Sequence, residues 1–322
     1  MQFRVPSFIC NVISLLGLLI AATICGAQTT AVCNFKTFKP PSGYSWASPA
    51  DINDNGTIVG AVVSPPMKGI SFWRGLQRNP DGSMTTYAFP TATPKADFFT
   101  KINDAGVTVG YFGEEFFHGF VKSGNNPVRV DYPVGTTPNT YLYGINKWHT
   151  IVGAYNSFNN AGFITGSFKL INGKFIPVKI PNATYVYAYA INDNGAIAGS
   201  YSKTPFGSPR FFHGFRLRLD GTYISIDHPT GLQHTGTEIR DLNSAGVMVG
   251  NWLSRDLTCP LCAAPLQHGF IFKNGRFKNL KYPGASLTIA MGINNNEVIV
   301  GSAHMPTGNG GYNIVPFIAT CQ

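Results

Sequence analysis

Three His-Gly-Phe triplets, at His118, His213 and His268, draw attention first, because imidazole binds metals and moves protons near neutral pH. They fall one per repeat unit of the chain, which separates them around any symmetric fold. The spacing therefore predicts strand histidines hydrogen-bonded to a neighbouring turn rather than a metal site. A second constellation is Glu238-Ile239-Arg240-Asp241. Alternate residues of a strand share a face, so Glu238 and Arg240 form an ion pair or a joint ligand contact. Seven carboxylates lie outside the repeated positions: Asp51, Asp97, Glu114, Glu115, Glu238, Asp241 and Asp256. Glycoside hydrolysis needs two of them about 5–10 Å apart, and nothing in their spacing fixes such a pair. Cys259 and Cys262 are expected to staple their own loop, since redox chemistry wants a strand–helix context and zinc wants further ligands. No nucleophile elbow, metal-binding helix or phosphate loop occurs, and no cofactor is expected.

What must position these groups is a six-fold repeat. Ile or Leu followed by Asn, a turn, and then a Val/Ala-Gly pair recurs from Ile52, Ile102, Ile145, Ile191, Leu242 and Ile293. The glycine always stands eight residues on: Gly60, Gly110, Gly153, Gly199, Gly250 and Gly301. Each unit holds four strand-like runs rich in β-branched and aromatic residues. The third carries His-Gly-Phe, with Gly69-Ile70, Gly162-Phe163 and Pro316-Phe317 read as its degraded forms, and the fourth ends in an X-Pro pair such as Phe89-Pro90. Asn53 and its equivalents open tight turns, with Gly56, Gly106, Gly195 and Gly246 supplying positive φ. His149 and Glu297 replace that glycine, implying locally different turns. One carboxylate per turn is too few for calcium.

Four strands at a period near 45–50 residues predict an all-β, six-bladed β-propeller of four-stranded antiparallel blades. The chain ends after a third strand, Val315 to Thr320, and the missing fourth is the run from Cys33 to Lys39. Pairing of the two termini therefore closes the ring, and Cys33 and Cys321 are expected to be bonded across it. The Ile-Asn-Asp-x-Gly, Ile-Val-Gly and His-Gly-Phe elements resemble the bacterial extracellular HAF repeats over essentially the whole chain after residue 27. The resemblance implies an exported repeat protein and carries no catalytic residue onto this sequence.

Residues 1–27 read as a signal peptide: Arg4, an apolar run from Val12 to Ile24, and Ala27 at a small-residue cleavage site. Residues 28–322 then form one domain, secreted or periplasmic, with no membrane span after cleavage. Arg4 is the leader's one charge, so the net charge falls from +9 to +8 on cleavage. No run of adjacent basic residues appears, which with export argues against nucleic acid, and a monomer is expected. Intervals from the repeat glycine to the third strand read as nine residues in the first three blades and 15 or more in the last three (199 to 214, 250 to 269, 301 to 316). Loops on a rigid scaffold carry function, so a ligand site is expected over blades four to six. It draws on Arg210, Arg255, Asp256, His304 and Tyr312, with His228, His234, Glu238 and Arg240 beside them. Two functions follow. One is non-catalytic binding of a glycan or cell-envelope component, marked by an aromatic platform around Trp46, Phe98, Tyr141 or Tyr185. The other is a polysaccharide hydrolase or lyase, marked by converging carboxylates.

Overall fold

The computed structural model describes residues 29–65, 71–89, 96–113, 115–134, 139–159, 162–205, 211–230, 236–254, 266–308 and 311–322, and every regular element among them is a β-strand. The strands form six antiparallel sheets, the blades of a six-bladed β-propeller. The inner strands, one per blade, are Trp46–Ile52, Ala96–Ile102, Asn139–Ile145, Tyr185–Ile191, Gly236–Leu242 and Leu287–Ile293. Blade 6 is completed by Cys33–Thr37, which pairs antiparallel with Tyr312–Cys321 in the register Cys33↔Cys321 to Thr37↔Phe317. The Cys33–Cys321 disulfide locks that closure. Blade 5 carries an unforeseen fifth strand, Thr29–Thr30, running parallel to Lys278–Asn279 and covering its outer edge.

Each inner strand is bulged at the same place, two residues before the repeat Ile or Leu: Ala50, Thr100, Tyr143, Tyr189, Arg240 and Met291 fall out of register. A bulge re-aims side chains, and here it turns six of them toward the channel. It also explains the repeat glycine. A Cβ on Gly199 would stand 1.8 Å from the Tyr187 carbonyl oxygen, and one on Gly110 1.9 Å from that of Phe98. The glycine thus admits the bulged inner strand of its own blade. A Cβ on Gly214 would stand 2.5 Å from the Ile226 carbonyl oxygen of its own blade and 2.9 Å from the Ile239 side chain of the next, so the His-Gly glycine serves both the fourth strand and blade-to-blade packing.

The repeat asparagine does more than open a turn. Its Oδ1 accepts the backbone N–H four residues on, as in Thr57→Asn53 (2.9 Å) and Val247→Asn243 (3.0 Å). Its amide donates to the backbone carbonyl of the next blade's asparagine, from Asn53→Asn103 (3.1 Å) through to Asn294→Asn53 (3.0 Å). Six such bonds close a ring around the lower mouth. Thr140, Thr237 and Thr288, with Asp97 in blade 2, similarly accept the N–H of the residue before the X-Pro proline.

Two expectations need correction. His149 and Glu297 adopt the same turn as the glycines, at φ 59° and 57°, with the same N–H bonds to Asn146 and Asn294. In blades 1 and 3, the third strands pair Gly60↔Leu76 and Gly153↔Phe168, so Arg74-Gly75-Leu76 and Gly166-Ser167-Phe168 hold the His-Gly-Phe position. Gly69-Ile70 falls outside the described residues, and Gly162-Phe163 sits at the far end of a long hairpin. The interval is then 15 residues in blade 1 (60 to 75) and 14 in blade 3 (153 to 167), leaving blade 2 as the short one. Elaboration is not confined to blades four to six.

Candidate functional site

The channel opens upward into a cavity of about 350 Å³, lined by Trp73, Phe98, Tyr111, Tyr143, Tyr189, Met291 and Arg240. Inner-strand positions two residues before the repeat Ile or Leu line it in all six blades, joined by Ser48 and Phe98 two residues earlier in blades 1 and 2. Ring contacts run without a break around four blades. Trp46–Trp73 (4.7 Å) leads to Trp73–Phe98 (4.9 Å), Phe98–Tyr111 (4.9 Å) and Tyr111–Tyr141 (5.0 Å). Tyr141–Tyr143 (6.0 Å), Tyr143–Tyr189 (5.3 Å) and Tyr187–Tyr189 (5.9 Å) continue the arc, and Phe212 ends it at 6.1 Å from Tyr187. All these rings are half-buried, and Trp73, Phe98, Tyr111, Tyr143 and Tyr189 line the cavity. Burial pushes the Tyr143 phenol well above its usual range and that of Tyr111 to about 12, so both stay neutral hydrogen-bonding groups.

Blade 5 supplies the charge. Arg240 lies over the Tyr189 ring at 4.8 Å and donates from Nη2 to Glu238 Oε2 at 2.5 Å. The ion pair read from their spacing is present.

The floor is ionic. Lys101 of blade 2 donates from Nζ to Asp51 of blade 1 (2.9 Å) and reaches Asp241 of blade 5 (2.5 Å), all three buried. Asp51 also accepts the Ile102 N–H (2.9 Å), and Asp241 accepts those of Leu242 and Ile293 (2.7 Å each). Burial raises Asp51 to about 7 against the pull of Lys101, and the neighbouring Asp241 charge adds to the rise. Burial alone would lower the Lys101 ammonium, but Asp241 and Asp51 hold it above its ordinary value. Nearby, burial lifts Asp97 to about 6 although Phe89 N–H and Arg74 (3.3 Å) favour its ionised form.

Of the other expected site residues, His228, His304 and Tyr312 are described and none of them lines this cavity. Arg210, His234, Arg255, Asp256 and the Cys259/Cys262 pair lie outside the described residues. His304 and Tyr312 face each other at 5.9 Å on the blade 6 hairpin. His228 has no surface to offer a ligand: it is fully buried, packed on Trp252, Phe270 and Phe277, with Nε2 bonded to Asn279 (3.1 Å). His118 and His213 bond Asp131 and Asp227 (3.0 and 3.1 Å), and His268 bonds Ser254 (2.9 Å). Among the described residues no cluster of three His, Cys, Asp or Glu side chains is placed to hold a metal. Of the platform residues, Trp46, Phe98 and Tyr141 belong to the arc, whereas Tyr185 is buried and its place is taken by Tyr187.

Burial lowers His228 to about 4. A depressed histidine stabilises the fold fully above its unfolded pKa near 6.5, and that contribution is lost as pH falls through 4. Asp51 and Asp97, both raised, act in the opposite direction over much of this window. His228→Phe should therefore remove an acid-side loss on the order of 2 kcal/mol, seen in urea midpoints at pH 7 and pH 4. An unchanged difference between those midpoints contradicts the assignment.

No family model matches the chain, and no curated protein matches it. Solved structures do. A protein of unknown function from Dyadobacter fermentans aligns with TM-score 0.53 at 12% identity, over 89% of this chain and 98% of that one. The β-propeller domain of the Trilobed protease from Pyrococcus furiosus aligns at TM-score 0.44 and 9% identity, over 85% and 94%. A subtype N11 neuraminidase-like protein of a flat-faced bat isolate from Peru aligns at TM-score 0.45 and 12% identity, over 92% and 94%. At such identity the first of these likenesses is one of fold.

Proposed function

We propose that the protein is a secreted or periplasmic glycan-binding propeller, which stacks sugar rings on the aromatic arc at the mouth of its channel. The observation that carries this reading is the unbroken run of ring contacts from Trp46 to Phe212. Aromatic faces joined to a few fixed polar groups suit small-ligand sites, and a cavity of about 350 Å³ is within their usual size. No carboxylate lines the cavity among the described residues, and those behind its two cations are engaged, Glu238 by Arg240 and Asp51 and Asp241 by Lys101, which supports binding over hydrolysis. We take residues 1–27 as a cleaved signal peptide, the chain as an HAF-repeat protein, and a glycan of the cell envelope as its partner. A disulfide suits an oxidising compartment. Among the described residues no helix is long and apolar enough to cross a membrane.

Screening the protein on a glycan array, with reducing-sugar release measured on each hit, tests this. Binding without release is expected, and Trp73→Ala should weaken it more than tenfold, roughly the loss of one hot-spot ring. Release that disappears in Glu238→Gln would replace the binding reading by the hydrolase or lyase.

A further inference from the structure

Six residues share the bulged position facing the channel, and five are uncharged: Ala50, Thr100, Tyr143, Tyr189 and Met291. The sixth is Arg240. Its guanidinium lies over the Tyr189 ring and uses one N–H for Glu238, while its Nε–H is buried with no partner. An unpaired buried donor is costly, more so on a charged group. Arg78 and Arg216 also have an unpaired Nε, but neither lines the cavity. Arg240 is thus a cation in the cavity wall beside stacking rings, with one N–H that the protein leaves unmatched.

We propose that the sugar bound in the arc is acidic, and that Arg240 receives its carboxylate. This rests on the glycan reading above and narrows it to uronic-acid-type ligands. A guanidinium presents a planar fork of donors that matches a carboxylate. The other charges around the site do not compete for that role: Lys101, on the floor, already holds Asp51 and Asp241. Glu238 is the internal counter-ion, and a ligand carboxylate would share Arg240 with it. The surplus of 24 basic over 15 acidic residues adds a field that draws anionic polymers toward the molecule.

Calorimetric titration with tetramers of galacturonic, glucuronic and mannuronic acid, each beside its methyl ester, tests the proposal. The ester keeps the ring and its stereochemistry and removes the charge. At least one acid should bind about tenfold or more tighter than its ester, as expected for one charge-assisted hydrogen bond. Arg240→Gln should abolish that preference, so that acid and ester bind with equal affinity. Arg240→Lys keeps a partner for Glu238, guards against misfolding, and should retain part of the preference. Glu238→Gln should strengthen acid binding by about three- to tenfold, because the competing internal anion is gone. Equal affinity for acid and ester in the wild type, or a preference that survives Arg240→Gln, overturns the proposal while glycan binding stands. Absence of binding to these acids, with neutral sugars bound on the array, overturns it too. No binding to any glycan removes both readings.

Discussion

Lys101→Met is expected to destabilise the fold by about 3–5 kcal/mol above roughly pH 8, the cost of leaving buried charge without its partner. Lys101 joins blades 1, 2 and 5 through Asp51 and Asp241, all buried beneath the aromatic cavity. Without the ammonium, two carboxylates face each other in a dry channel with backbone N–H groups as their remaining partners. The Asp51 carboxyl, already raised to about 7, then rises further. A raised carboxyl stabilises the fold below its unfolded pKa near 4 and loses that contribution as pH climbs through the folded value. The penalty should accordingly shrink toward pH 4–5, where Asp51 takes up its proton. Adding Asp51→Asn and Asp241→Asn to Lys101→Met should recover most of the loss, since a fully neutral network strands no charge. Urea unfolding at two pH values reads all of this. A Lys101→Met protein within about 1 kcal/mol of wild type at pH 8 contradicts the assignment of the floor.

Removing the disulfide by Cys33→Ser with Cys321→Ser is expected to cost about 2–5 kcal/mol, toward the upper end on the chain-entropy model because the closed loop spans nearly the whole domain. The sequence separation is 288 residues. For a domain of this size the melting temperature should fall by about 3–8 °C. The five register pairs between Cys33–Thr37 and the last strand remain, so the ring should still close and the aromatic cavity keep its ligand affinity. Loss of ligand binding in a variant that stays folded would show that the bond shapes the cavity and does more than restrict the unfolded chain.

The ring itself was legible because the positions that build it repeat. Six Ile-Asn…Gly units and the complementary ends at Cys33 and Cys321 predict the closed propeller that the structure has. The asparagines were only half readable. Their turn role follows from one copy, whereas the donation to the next blade's carbonyl requires the copies to be neighbours in space. The third strand of blade 1 was misplaced at Gly69-Ile70 because a lone small–apolar pair resembles the degraded triplet. That error hid Trp73, which sits beside Gly75 and joins Trp46 to Phe98. It also created an apparent lengthening of loops in blades four to six. Lys101 was invisible for the opposite reason: its position varies among the repeats, with Gly144, Ala190 and Gly292 at three equivalents and its partners Asp51 and Asp241 at the other two, 50 and 140 residues away. His228 looked available because nothing in His-Pro announces the Trp252 and Phe270 rings that enclose it.

Where a sugar sits is the most direct test of the whole account. Crystals of the protein soaked with the tightest array hit should show sugar rings against Trp73, Phe98 and Tyr111, within reach of Arg240. Density instead along the outer edge strands, or on the blade 6 hairpin at His304 and Tyr312, with the cavity unoccupied by sugar, would contradict it.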